Sequence, residues 1–206
     1  MIKITLKGLA KFMTASAATQ RKILRDFKYP EPEGVAQAAY YREARDFIAA
    51  FHRKGHPRAW LNERAEELSS LAASSSGRTV TRLRHNARAL REYERGWGGT
   101  KLEVLDDVVL KLSYEDVRVS VVPDLHVRQG GRKKIIKFEF GNQEPDKKVI
   151  AVVSQGLLEA ALADGVSLAS RDVAYVDVPR GKTYNGARLG SRLARDIEAA
   201  CQNIKA

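Results

Sequence analysis

Val117-Arg-Val-Ser-Val-Val-Pro-Asp-Leu-His-Val-Arg-Gln-Gly-Gly-Arg-Lys-Lys-Ile-Ile-Lys-Phe-Glu-Phe140 decides how this chain folds. Two runs rich in Val and Ile flank Gln129-Gly130-Gly131-Arg132, a two-glycine hairpin signal. Side chains alternate along a strand, so Val119, Val121, Pro123, Leu125 and Val127 share one face of the first run. Arg118, Ser120, Val122, Asp124 and His126 share the other. With Gly130 and Gly131 as the central turn residues, Asp124 falls opposite Lys137 and Val122 opposite Glu139. A carboxylate, a lysine and a second carboxylate then gather on one face of the hairpin.

Around this hairpin the pattern predicts further strands over 102–104 and 108–113, with the hairpin strands themselves at 117–127 and 134–140. A helix over 147–163, a strand over 173–178 and a closing helix over 185–202 complete this part. Ahead of Gly99 the apolar period is near that of a helix. Ser16 is placed to cap a helix over 17–27 whose stripe is Ile23, Leu24 and Phe27. After the breaker at 29–34, a second helix is expected over 35–53, and a third begins near Pro57. The fourth runs over 79–95, with Leu83, Ala87, Leu90 and Tyr93 facing the core, and ends at Gly96-Trp-Gly-Gly99. The expectation is an α/β protein, with α+β as its neighbour: a helical region over 1–99, then a central mixed sheet flanked by helices over 100–206, packed as one unit.

Charge divides along the same line. The chain has 206 residues, 36 Lys plus Arg against 25 Asp plus Glu, and a net charge of +11. Residues 1–100 hold 19 basic and 10 acidic side chains, whereas 101–206 hold 17 and 15. The excess therefore belongs to the helical half and calls for an anionic partner. Arg84, Arg88, Arg91 and Arg95 recur at helical spacing, with Arg82 beside them, as a stripe suited to a phosphate backbone. Arg21, Lys22, Arg25 and Lys28 form a second basic face, and Arg53, Lys54, His56 and Arg58 a third cluster. Nucleic acid, DNA or RNA, is the expected partner. One cysteine, Cys201, excludes a disulfide framework, a four-cysteine zinc site and a cysteine-ligated iron–sulfur cluster. No apolar run is long enough for a membrane span, and the opening Met1–Lys7 stretch lacks the apolar core of a signal peptide, so a cytoplasmic protein with no membrane partner is expected.

Pro123-Asp124, the glycine hairpin and Ile135-Ile-Lys-Phe-Glu-Phe-Gly141 together resemble the core of the PD-(D/E)xK nuclease superfamily, in particular its RecB-like branch. Gln155, early in the helix that follows, resembles the family's helix-borne glutamine, and the likeness covers roughly residues 100–200. It implies a restriction-endonuclease-like core in which an aspartate and a second acid hold Mg²⁺ or Mn²⁺ while a lysine positions the attacking water. This chain inverts the motif, with Lys137 at the acid position and Glu139 at the lysine position.

Two readings follow from the inversion. Either Lys137 replaces the metal's charge and the site does not cut, or Asp124 and Glu139 hold a metal with Lys137 and Gln155 as the remaining catalytic groups. His126, two residues beyond Asp124, is placed to reach a phosphate or a metal. The resemblance thus implies a nucleic-acid-binding protein with a degenerate nuclease-like site, of the kind that serves in a larger prokaryotic complex, in defence or on a mobile element. It then needs no cofactor. An active metal-dependent nuclease and a protein–protein adaptor with an acidic partner are the alternatives.

Other motifs fail on their own chemistry. Gly181-Lys182-Thr183 lacks the leading glycine of a phosphate loop, since Val176 stands there. Ser154-Gln-Gly156 lacks that of a nucleophile elbow, since position 152 is Val. His52 and His56 have metal-ligand spacing, but Gly55 and Pro57 interrupt the helix that would present them.

Overall fold

Gly130 and Gly131 adopt φ of 56° and 77°, a region that glycine alone enters freely. They close a hairpin in which Leu125 faces Ile136 and Gln129 faces Arg132, the register expected from the two-glycine turn. The computed structural model that shows this describes residues 1–29, 40–186 and 190–205.

In chain order the described elements are β1 (Ile2–Thr5), α1 (Leu6–Thr14), α2 (Ala17–Lys28), α3 (Arg42–Lys54), α4 (Ala59–Ala73) and α5 (Arg78–Trp97). There follow β2 (Glu103–Val104), β3 (Leu110–Tyr114), β4 (Val117–Val121), β5 (Leu125–Gln129) and β6 (Arg132–Glu139). The chain closes with α6 (Lys147–Ala163), β7 (Val173–Asp177), β8 (Lys182–Asn185) and α7 (Ser191–Lys205). The class is α/β. No helix among the described residues is long and apolar enough to cross a membrane.

The run expected as one strand over 117–127 is two. Proline has no N–H for the ladder, and the pairing stops before Pro123 and resumes after Asp124. β4 lies in a three-stranded sheet, order β1-β4-β3, while β5 lies in a five-stranded sheet, order β2-β5-β6-β7-β8. The single central sheet expected from the sequence is therefore divided in two, and the 122–124 segment is the seam. Both sheets are mixed, since β1 runs parallel to β4 and β6 parallel to β7.

Two apolar cores result. Ile4, Leu9, Val119, Ile135, Leu157, Tyr175 and Ile197 belong to the first, which fills the space around α1, α6 and α7. Ile48, Leu61, Leu90, Val127, Phe138 and Val176 belong to the second, between α3–α5 and the five-stranded sheet. The boundary drawn at residue 99 does not follow this packing. β1, α1 and α2 join the first core with the later strands, and α3, α4 and α5 form the second. α6 packs on β3 and β4 of one sheet and on β7 of the other, which is why it is apolar nearly all round.

Local chemistry sets the helix ends. Thr5 accepts the Gly8 N–H at 3.1 Å to start α1, and Asp146 accepts that of Lys148 at 2.7 Å to start α6. Ser16 caps α2 as expected. Buried Asn86 of α5 accepts the Ala44 N–H at 2.8 Å and donates to Tyr40 and Arg82 carbonyls, pinning α5 to the start of α3. His52 and Tyr93 bond at 2.7 Å in the same interface. Burial lowers the His52 pKa to about 4, so the imidazole is neutral there at neutral pH.

Two boundaries differ from expectation. The helix expected over 35–53 appears as α3, and 35–39 lie outside the described residues. Asn185, expected to open the closing helix, ends strand β8, and α7 begins at Ser191.

Gly156 sits where α1 crosses α6: a Cβ there would collide with Leu6, itself buried. Gly156→Val is expected to destabilise the fold by about 2–3 kcal/mol through overpacking, read as a lower denaturant midpoint at unchanged slope.

Candidate functional site

The seam is held by charge. With Pro123 ending the β4 ladder, the Asp124 N–H donates to the Ile136 carbonyl at 2.9 Å, and the Phe138 N–H donates to Asp124 Oδ2 at 2.8 Å. The side chain of Asp124 is 2% exposed. Lys137 Nζ donates to the Val122 carbonyl at 2.8 Å and lies 3.1 Å from Asp124 Oδ2 and 3.2 Å from Oδ1. Arg45, from α3, reaches Oδ1 at 3.5 Å. A carboxylate this deep survives ionised only with such partners.

Glu139 lies one pleat further along β6, on the same face as Lys137. Tyr175 donates to its Oε2 at 2.8 Å, the Gly141 N–H to its Oε1 at 3.1 Å, and Lys7 of α1 closes on Oε2 at 2.5 Å. Burial pushes this carboxyl upward most strongly, but the charge and hydrogen bond of Lys7 and the Tyr175 and Gly141 donors together outweigh it. Its pKa lies below the ordinary 4.5. Tyr175 faces Lys137 across the β6–β7 ladder, and burial, then the Glu139 charge, raise its phenol. Tyr41 stacks on Phe140 with centroids 5.0 Å apart, and burial raises its pKa against the lowering pull of Arg88.

Asp124, Lys137 and Glu139 therefore share a face as the sequence indicated, and three cations serve two carboxylates. All four carboxylate oxygens already accept from a backbone N–H, a lysine, Arg45 or Tyr175. A hard divalent cation needs about six oxygen ligands, and no group of three or more His, Cys, Asp or Glu among the described residues is arranged to hold one. As placed, these residues do not fit Mg²⁺ or Mn²⁺.

Gln155 stands apart. Its buried amide donates to Glu159 at 2.5 Å and accepts the Gly190 N–H at 3.0 Å, so it anchors the approach to α7 and makes no hydrogen bond to Asp124, Lys137 or Glu139. The catalytic role that the resemblance implied for it finds no support in this placement. His126 turns its Nδ1 to the Asp106 carbonyl at 3.1 Å, and its buried Nε2 has no partner among the described residues.

The arginine stripe of α5 is broken by packing. Arg82 pairs with Glu43 of α3, and Arg91 reaches Glu66 of α4 at 2.8 Å and Ser69 at 3.0 Å. Arg88 lies 3.5 Å from Glu92. Arg84 and Arg95 remain exposed, with no ion pair among the described residues. The stripe is thus reduced to its two ends. α2 differs: it contains no fully buried residue, and Arg21, Lys22, Arg25 and Lys28 are all exposed, with Arg25 4.0 Å from Asp26. Residues 1–29 carry seven basic side chains and one acidic.

Sequence reasoning missed Lys7, Arg45 and Tyr175. Nothing local marks Lys7 or Arg45, which come from helices far from the hairpin in sequence. Tyr175 carried a usable signal, as a polar ring in the middle of an apolar strand.

Lys137→Met leaves Asp124 with Arg45 and the backbone alone, and is expected to cost about 3 kcal/mol. Asp124→Asn combined with Lys137→Met should recover part of that loss in a double-mutant cycle read by urea unfolding. The depressed Glu139 pKa has a signed consequence. Its contribution to stability is present above the ordinary pKa of 4.5 and lost as pH falls through the lower folded value. The stability gap between the wild type and Lys7→Met should therefore be constant near neutrality and shrink progressively below that pH, as measured by unfolding across an acid series. Comparisons with protein-family models, curated proteins and solved structures return no match.

Proposed function

We propose that this chain is a nucleic-acid-binding protein whose core resembles that of the PD-(D/E)xK nucleases, and whose nuclease-like site is ion-paired and does not cut. The observation that carries this reading is the seam itself: Asp124 stands where the family keeps its first acid, Lys137 and Glu139 follow in inverted order, and Lys137, Arg45 and Lys7 pair with the two carboxylates. The surrounding order lends support. A strand bent at Pro-Asp, a glycine hairpin, a crossover helix and a strand parallel to the second hairpin arm succeed one another as β4–β5, β6, α6 and β7.

The anionic partner follows from where free positive charge lies. Arg21, Lys22, Arg25 and Lys28 on α2, with Arg84 and Arg95 at the ends of the α5 stripe, are exposed and available to phosphates. The same basic surface meeting an acidic protein is the rival explanation.

Binding to labelled DNA and RNA across a salt series separates the two. The expected result is an affinity that falls linearly with salt on logarithmic axes, with a slope reduced by about two to three units when Arg21, Lys22 and Arg25 are all changed to Gln. With Mg²⁺ or Mn²⁺ added, neither the wild type nor Asp124→Ala should cleave any strand. Cleavage that vanishes in Asp124→Ala would replace this reading with that of an active nuclease. No binding to any nucleic acid would remove it in favour of a protein partner.

A further inference from the structure

The three-stranded sheet covers the first core with one face only. Ile4, Leu110, Leu112, Val117, Val119 and Val121 are buried beneath it. The opposite face presents Lys3 and Thr5 from β1, Arg118 and Ser120 from β4, and Lys111 and Ser113 from β3, all exposed. The register assembles them into rows. Lys3, Arg118 and Ser113 lie side by side, and Thr5, Ser120 and Lys111 form the next row about 7 Å along the strands. Val109 and Val122, just outside the paired residues of β3 and β4, are 86% and 54% exposed. Beyond Val122 the strand breaks at Pro123, and Asp124 turns its side chain inward at the seam, 2% exposed.

Composition gives this face a specific character. It holds three cations, three hydroxyls and no carboxylate, and none of Lys3, Lys111 or Arg118 has an ion pair among the described residues. Acids of the adjoining β3–β4 turn and of the loop before β3 are engaged elsewhere. Glu115 and Asp116, at the β3–β4 turn, both pair with Lys205 of α7, and Asp107 pairs with Arg53. α2, with Arg21, Lys22, Arg25 and Lys28 exposed, packs against β1 at the edge of this sheet.

We infer that the open face of the β1-β4-β3 sheet binds the phosphodiester backbone of nucleic acid along β4. The inference rests on the nucleic-acid reading above and assigns it a surface. Lys and Arg supply charge and the Ser and Thr hydroxyls supply hydrogen bonds to phosphate oxygens, the groups that position a backbone without reading sequence. No aromatic ring lies among the six residues of this face, so base stacking contributes little and the binding is independent of sequence. Val109 and Val122 give the track an apolar end beside the seam.

The test compares the wild type, the triple variant Lys3→Gln, Lys111→Gln, Arg118→Gln, and the single variant Ser120→Glu. Each is titrated with a labelled single-stranded oligonucleotide and with its duplex over a salt series, after circular dichroism and unfolding midpoints establish that it folds. Ser120→Glu places a negative charge in the middle row and keeps the test open should the triple variant fold poorly.

The expected result is a salt slope lower by about two to three units for the triple variant and a loss of at least about tenfold in affinity for each variant, independent of oligonucleotide sequence. The arm with the larger loss identifies whether single strand or duplex is the source of the backbone. Unchanged binding by folded variants, with the wild type binding normally, overturns the sheet assignment and leaves the nucleic-acid reading standing. A wild type that binds neither oligonucleotide overturns both. Binding only to anionic phosphatidylserine vesicles, abolished by the same variants, would likewise overturn the assignment to nucleic acid.

Discussion

Everything in this molecule turns on how one covalent strand serves two sheets. β4 and β5 are separated by Val122, Pro123 and Asp124, and a break of that kind leaves a carbonyl, an N–H and a carboxylate without ladder partners. Each is tied to β6: the Val122 carbonyl by Lys137 Nζ, the Asp124 N–H by the Ile136 carbonyl, and the carboxylate by Lys137 and the Phe138 N–H. Arg45 then adds α3 to the same point, and Lys7 adds α1 through Glu139. Both apolar cores depend on this junction, since the first core packs on β4 and the second on β5.

Such an arrangement is a specifying device more than a source of stability. A buried ion pair loses solvation roughly as large as its attraction, and an apolar replacement of equal volume often matches it. What the charged seam supplies is a unique register. A one-residue slip of β6 would take Lys137 away from Asp124 and strand an uncompensated carboxylate at 2% exposure. Lys137 supplies positive charge to Asp124, and Lys7 to Glu139, without an ion recruited from solution.

The parts of this structure that were legible in the sequence are those set by local chemistry. The Gly130-Gly131 turn, the alternation on either side of it and the cap at Ser16 depend on residues a few positions apart, and they read correctly. Pro123 was equally visible, but its consequence was not: a proline within a strand-like run signals an interruption, and only tertiary packing determines that the two halves enter different sheets. The site was half legible. Asp124, Lys137 and Glu139 share a face because of pleat and register alone, whereas Lys7 and Arg45 arrive from distant helices and leave no local trace. The same blindness affected the α5 arginines. Their spacing is regular, yet the acids that neutralise Arg82 and Arg91, Glu43 and Glu66, sit on neighbouring helices. β1 was too short to read: Ile2 and Ile4 alternate only twice before α1 begins.

That short strand gives the chain an order of events. Ile2 pairs in parallel with Val117, so β1 has no strand partner until β4 has been made. The α3–α5 helices contact one another through near neighbours in sequence and can associate early, whereas β1 must wait, its Ile4 uncovered, for β4. Lys3 and Lys7 flank Ile4 while β1 waits, and that charge protects an otherwise adhesive strand from premature association.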